Sequence, residues 1–328
     1  MWRRRKPGQA DRPVALPGGR GGLHSPLRPY RRLPVSELPS LAFAGIGLMG
    51  LPMCRRLLTA GYRVTVWNRS PDKCAPLVAL GAQVADTPAA LCDAAGIVLL
   101  CLADTAVVRA VVFGPNGIIE GAREGQLLVD HSSLEPSATR EMAAALAARG
   151  MRWVDAPVSG GTAGAEAGSL AIMAGGRAED IERVRPILMH LGQRLTHMGE
   201  VGAGQVTKAC NQMIVACNAL VIAEVVALAE RAGVDTRLLA TALAGGFADS
   251  KPLQILAPQM AASEFEPVKW HVRTLLKDLD TATGLAREQG GATPMTGLAA
   301  QLMRLHGSHG HLERDPATLV ELFRERRS

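Results

Sequence analysis

The stretch Leu41-Ala42-Phe43-Ala44-Gly45-Ile46-Gly47-Leu48-Met49-Gly50 decides the fold. Four apolar residues run straight into three glycines spaced G-x-G-x-x-G. A helical stretch follows through about Ala60, where Gly61 is placed to end it. A strand that turns on glycine into a helix is the opening unit of a doubly wound α/β sheet. Beyond it, Tyr62–Trp67 alternates like a strand, Pro71–Leu80 reads as helix up to Gly81, and Ile97–Leu102 reads as strand. A helix from about Thr105, a strand at Leu127–Asp130, a helix at Pro136–Ala148 and a strand at Trp153–Asp155 continue the alternation. Leu170–Ala174 adds a strand and Glu179–His190 a helix. This pattern predicts a largely parallel sheet.

The character changes after Gly199. Gln205–Ala232 is one long apolar helical run, and nothing strand-like follows it. The expected fold class is therefore α/β: an N-terminal Rossmann-type doubly wound sheet over residues 40–201, then an all-helical domain over 202–328. Residues 1–39 are rich in Pro, Gly and Arg without apolar periodicity and are expected to be a disordered basic tail. Repeated Pro and Gly would break the amphipathic helix that a transit peptide needs.

The net charge of +6 invites a nucleic-acid reading, and its distribution removes it. Residues 1–40 hold nine basic and two acidic side chains, a net +7; the remainder has 27 basic against 28 acidic, a net −1. No nucleic-acid partner is expected of a nearly neutral globular part. Six cysteines form no C-x-x-C pair, which suits a reduced, cytoplasmic protein with packed thiols. Met213–Ala223 is apolar but too short to span a bilayer, so no membrane association is expected.

The glycine loop reads as a dinucleotide cradle. Gly45 permits the turn, Gly47 lets the backbone approach a pyrophosphate, and Gly50 lets helix and strand pack closely. Ile46, Leu48 and Met49 complete it, and the helix N-terminus favours the phosphates. A glycine-rich turn without a ligand is the plainer alternative. The end of the second strand, Trp67-Asn68-Arg69-Ser70, lacks the acid that would hold a ribose 2′-hydroxyl. Asn68 does not repel a 2′-phosphate, Arg69 can pair with it, and Ser70 can donate to it. NADP is the expected cofactor, with NAD possible; a solvated loop charge is the other reading of Arg69.

Gly202-Ala203-Gly204-Gln205-Val206-Thr207-Lys208-Ala209-Cys210-Asn211-Gln212 opens the long helix. Lys208, Asn211 and Gln212 lie at i, i+3 and i+4 and share a face. Burial and the helix N-terminus would both disfavour the charged lysine and suit it to proton exchange with a carbonyl oxygen. A surface lysine at a domain junction satisfies the same local pattern.

Taken together, these stretches resemble the beta-hydroxyacid dehydrogenase family. Gly45–Gly50 followed by Leu51-Pro52-Met53 carries the resemblance. So do Asp130-His131-Ser132-Ser133-Leu134-Glu135-Pro136, Asp155-Ala156-Pro157-Val158-Ser159-Gly160-Gly161, the Lys208 stretch and Lys277-Asp278-Leu279. The match runs from about residue 41 to 320. The resemblance implies an N-terminal Rossmann domain, a helical second domain and a cleft between them. It implies that Lys208 is the catalytic acid/base and that Asn211 and Gln212 orient the substrate. Ser159, Gly160 and Gly161 match the loop that holds a substrate carboxylate, and Ser132 a serine lining the cleft. Leu102, Ala103, Ser133 and Lys277 match positions that touch the dinucleotide. Ala103 and Ser133 depart slightly from the usual Pro and Thr.

The implied activity is hydride transfer between NADPH and a small carboxylate-bearing semialdehyde or beta-hydroxyacid, closest to tartronate semialdehyde reduction. Val215 stands where decarboxylating relatives carry a Glu, so that reaction is not expected. A non-catalytic NADP-binding or interaction module is the alternative reading, and retention of Lys208, Asn211 and Ser159 speaks against it. Phe247, Asp249 and Trp270 are candidate pocket residues. His306, His309 and His311 read as loop residues with no metal, since their spacing fits no helical ligand pair. Cys210 reads as a packed thiol. The apolar length of Gln205–Ala232 predicts a homodimer or homotetramer.

Overall fold

The computed structural model describes residues 38–324, so nearly all of the expected tail lies outside the described residues. Among the described residues, nine strands form one sheet: β1 (Leu41–Ala44), β2 (Val64–Trp67), β3 (Gln83–Val84), β4 (Ile97–Leu100), β5 (Leu127–Asp130), β6 (Arg152–Asp155), β7 (Val158–Ser159), β8 (Leu170–Gly175) and β9 (Gly192–Gly199). Their order is β3-β2-β1-β4-β5-β6-β8-β7, with β9 beside β8. From β3 to β6 every pairing is parallel. β8 runs antiparallel to β6 and β7 and parallel to β9. The helices α1 (Gly50–Thr59), α2 (Ala75–Val78), α3 (Ala90–Ala94), α4 (Thr105–Phe113), α5 (Ile118–Gly121), α6 (Pro136–Ala147), α7 (Gly161–Ala167) and α8 (Ala178–Leu188) connect them.

The central strands β1, β4 and β5 are buried along their whole length because both faces of the sheet are covered there. Successive side chains alternate faces. Leu41, Phe43, Leu99 and Val129 feed one core, and Ala42, Ala44, Val98, Leu100 and Leu128 the other. Strand order reverses between β1 and β4, which opens a crevice at their C-terminal ends.

The described residues beyond β9 are helical: α9 (Ala203–Arg231), a 3-10 turn over Thr236–Leu238, α10 (Leu239–Leu243), α11 (Lys251–Ala262), α12 (Val272–Glu288), α13 (Pro294–His306), a π-turn over Gly307–His311 and a 3-10 turn over Pro316–Leu322. α9 is the spine. Its small residues Ala216, Ala219, Ala223 and Ala227 let Leu256, Met260, Leu275 and Leu279 approach closely in a second core. α9 has 29 residues, and an 18-residue window within it has a mean hydropathy of 2.0, so it is long and apolar enough to cross a membrane. The charge-free run Met213–Ala223 is only part of it. In this fold α11, α12, α13 and the 3-10 turn pack on it, as on the core helix of a globular domain.

Some elements go beyond the sequence reading. The helix expected at Pro71–Leu80 is a 3-10 turn, Pro71–Cys74, followed by the single turn of α2. β3, β7, β9, α3, α5 and α7 were not anticipated. Most are too short for periodicity to register. β9 is long, but of its eight residues only Gly192 and Leu195 are buried, so it has no alternating apolar face.

Candidate active site

The glycine loop is built as its spacing suggests. Gly45 adopts φ +99°, and a Cβ there would lie 2.2 Å from the Cys101 carbonyl oxygen. At Gly50 a Cβ would lie 1.9 Å from the Gly45 oxygen, so helix and loop close only over glycine. A Cβ on Gly47 would meet nothing within 4 Å, which leaves an open face where a phosphate can approach. No side chain caps α1; the Leu51 and Met53 amides donate to the Gly47 and Met49 oxygens and Pro52 has none, so an anion would meet the loop amides just ahead of the helix. Asn68 does more than lack a charge. Its Oδ1 accepts from the Ile46 amide at 3.0 Å and its Nδ2 donates to the Ser70 oxygen at 2.9 Å, bracing the loop against the end of β2. Arg69 and Ser70 are exposed beside it. These residues fit a phosphorylated dinucleotide.

At the ends of β4 and β5 the backbone is tied together by Ser132. It is only 2% exposed, its Oγ accepts from the Leu102 amide at 2.9 Å, and its own amide donates to Asp130 Oδ1 at 2.9 Å. Its position is that of a brace under the cleft floor. Lys277 crosses from α12, and its Nζ donates to the oxygens of Ala103 (3.4 Å) and Ser133 (3.3 Å). Three of the expected cofactor residues thus meet, and the helical part is fastened to the strand ends.

Lys208 projects from α9 beside this junction. Its Nζ donates to Gln212 Oε1 at 3.0 Å, and Asn211 Nδ2 donates to the same oxygen at 2.8 Å. Gln212 Nε2 then donates to Asp278 Oδ2 on α12 at 2.5 Å. Desolvation of the ammonium group pulls the Lys208 pKa below its ordinary value; Asp278 opposes this and Lys277 adds to it. Lys208, Gln212, Asp278 and Ser133 line one narrow cleft.

Three supporting residues were not singled out from sequence. Asp155, at the end of β6, accepts from the amides of Gly202 (2.7 Å) and Gln205 (2.9 Å) and so caps α9. Gln205 is buried, donates to the Ser132 oxygen at 2.8 Å and accepts from the Leu134 amide at 3.0 Å. Asp278 anchors Gln212. Only Gly202, at φ +92° just before the helix, marks this start in the sequence. Beneath the cleft, burial pushes Asp130 up to about 7; hydrogen bonds from Ser132 oppose the rise and Asp155 adds to it. Burial pushes His131 down to about 4, against the hydrogen bond of its Nδ1 with the Ala156 oxygen.

Ser159, Gly160 and Gly161 form the turn from β7 into α7, with Gly160 at φ +141°. Among the described residues no hydrogen bond joins this turn to Lys208, Asn211 or Gln212. The further pocket candidates fall apart. Asp249 accepts from the Gly245 amide at 2.7 Å and braces that turn, Trp270 packs against the helical core, and Phe247 is fully exposed. Cys210 is exposed rather than packed, while Cys54, Cys74 and Cys92 are buried. His306 is not a loop residue: it ends α13 and is 1% exposed. Burial, with His311, His309 and Arg314 adding to it, pushes His306 down to about 4. The fold brings a carboxylate, Glu321, to His306 and His311.

The fold and this cleft define a two-part, dinucleotide-dependent oxidoreductase. Residues 40–199 match the NAD-binding domain of 6-phosphogluconate dehydrogenase, and residues 202–323 match the NAD-binding family of NADP-dependent 3-hydroxyisobutyrate dehydrogenase. The chain is 35% identical to a 3-hydroxyisobutyrate dehydrogenase of Pseudomonas aeruginosa, over 88% of this chain and 99% of that one. It is also 35% identical to a 2-hydroxy-3-oxopropionate reductase of Escherichia coli, over 86% and 96%. A structure of Mycobacterium tuberculosis 3-hydroxyisobutyrate dehydrogenase with L-serine superposes with a TM-score of 0.80 at 29% identity, covering 88% of this chain and all of that one. The chain belongs to the beta-hydroxyacid dehydrogenase family. It is an NAD(P)-dependent oxidoreductase acting on CH–OH groups, with NADP as cofactor and NAD possible.

Proposed function

We propose that the chain interconverts a small carboxylate-bearing semialdehyde and its beta-hydroxyacid, with Lys208 as the group that gives and takes the proton. The observation that carries this reading is the partly buried Lys208, held by Gln212 and set against Asp278 at the strand-end cleft. Gly45–Gly50, Asn68, Arg69, Ser70, Leu102, Ala103, Ser133 and Lys277 would hold the dinucleotide. Bound there, the reduced nicotinamide supplies the hydride. Lys208 stabilises the alkoxide that develops at the substrate oxygen and protonates it; in the oxidative direction the neutral amine takes that proton. A depressed pKa serves both directions, because each form is then accessible nearer neutral pH. Asn211 and Gln212 fix the substrate's orientation, and the Ser159–Gly161 turn offers backbone amides to its carboxylate.

Tartronate semialdehyde is the first substrate to test, and the semialdehydes of 3-hydroxyisobutyrate and 4-hydroxybutyrate follow. One methylene discriminates by only about 1–3 kcal/mol. We also infer self-association as a homodimer or homotetramer in a reducing, cytoplasmic setting. The exposed apolar residues Ile214, Val221, Val225 and Leu228 on α9 and the unpaired cysteines support it.

The test is NADPH and NADH oxidation with tartronate, methylmalonate and succinic semialdehydes, comparing wild type with Lys208→Ala. The expected result is preference for NADPH and a loss of about 10²–10⁴ in turnover in the variant, with NADPH binding retained. A variant that turns over like wild type would remove Lys208 from the chemistry.

A further inference from the structure

Away from the cleft, the C-terminal end of α13 meets the 3-10 turn Pro316–Leu322. His306, His311 and Glu321 each offer a ligand-type atom there, all within 4.8 Å of one another. The sequence hides this set, because Glu321 reaches the histidines only when the chain folds back after Gly307–His311. We propose that these three side chains form a binding site for a late first-row divalent cation, zinc foremost, which clasps the end of α13 to the C-terminal turn.

The hydrogen bonds around the histidines favour coordination. Thr318 donates its hydroxyl hydrogen to the Asp315 oxygen at 2.7 Å. Its Oγ1 must then accept from His306 Nε2, which lies 2.8 Å away. That bond fixes the tautomer and leaves the lone pair of His306 on Nδ1, for which no hydrogen-bond partner exists among the described residues. His311 Nε2 stands 3.9 Å from Glu321 Oε2. In a tetrahedral zinc site, nitrogen and oxygen ligands about 2.0–2.2 Å from the metal lie about 3.4 Å apart, so the groups need to close by less than about 1.5 Å.

His306 and His311 are stacked with centroids 4.4 Å apart and planes 21° from parallel. A shared ion requires the rings to fan apart, since imidazole lone pairs lie in the ring plane. His311 is the one that turns: it is only partly buried and follows Gly310, whereas His306 is held by Thr318. Glu321 supplies negative charge to the set, and Arg324 is already paired with Glu230 at 2.5 Å. A cavity of about 460 Å³ bordered by Phe265, His309, Leu322 and Arg324 adjoins the histidines, so His309 or water can take the fourth position.

The test uses the full chain stripped with chelator and titrated with zinc chloride by calorimetry, beside His311→Ala, Glu321→Gln and the control His271→Ala. The control removes a different histidine, 3.8 Å from Glu313. One saturable equivalent is expected, accompanied by a rise in Tm. His311→Ala and Glu321→Gln should each weaken binding by about tenfold or more, with His271→Ala unchanged. Absence of saturable uptake by the wild type, or equal uptake by the His311 and Glu321 variants, would overturn the site.

Discussion

Lys208 is a cation whose surroundings pull in opposite directions. Desolvation and Lys277 disfavour its charge, and Asp278 alone among its named neighbours supports it. Asp278→Asn therefore separates charge from geometry: the Gln212 Nε2 donor still finds an oxygen, but the supporting anion is gone. The Lys208 pKa should fall further, and the alkaline limb of the reductive pH–rate profile should move toward acid by about one pH unit or more. The measurement is kcat against pH for both proteins. A limb that stays in place would mean that Asp278 acts only as a strut. The lysine and its amides were legible because i, i+3 and i+4 spacing places them on one face. Asp278, 66 residues beyond Gln212, and Asp155, which caps α9 from another strand, were not. Such partners are brought together by topology, and local spacing carries no trace of them.

At the scale of elements, legibility follows burial. β1, β4 and β5 are buried along their whole length, and their apolar runs were read within a residue or two. β9 lies at the sheet edge and escaped notice. α9 was read at nearly full length because 29 residues of one composition leave no ambiguity. It buries one side against α11, α12 and the C-terminal turn and leaves Ile214, Val221, Val225 and Leu228 exposed at spacings of seven, four and three, a single helical stripe. Ile214 is 64% and Leu228 69% exposed, so replacing both with Glu disturbs little inside the chain. If the stripe meets a second copy, two buried charges cannot be accommodated there. The double variant should elute at half the wild-type mass or less in light-scattering chromatography while keeping its far-ultraviolet circular dichroism. An unchanged mass would place any self-association elsewhere.

At the scale of the whole molecule, the sheet carries two buried carboxyl groups side by side: Asp130 and Asp155 are opposite one another in the β5–β6 register. Their environments differ. The Asp155 carboxylate takes amide hydrogen bonds from Gly202 and Gln205, whereas Asp130 Oδ2 has no hydrogen-bond partner among the described residues. Asp130 is accordingly pushed from 3.8 up to about 7. A carboxyl whose pKa is raised by folding contributes its stability below the unfolded value and loses it as pH climbs to the folded value. Between about pH 4 and pH 7 the unfolded chain has released this proton and the folded chain still holds it, so deprotonation increasingly favours unfolding. Asp130→Asn has no proton to release. Its stability relative to wild type should therefore rise with pH across this window, by at most about 1.4 kcal/mol per pH unit, and level off above about pH 7. Only the slope of the difference matters, since the fixed cost of an amide at this position is the same at every pH. Paired urea melts at pH 4.5, 5.5, 6.5 and 7.5 measure it. A pH-independent difference would mean that Asp130 is ionised in the folded protein throughout, with its charge carried by the Ser132 hydrogen bonds alone.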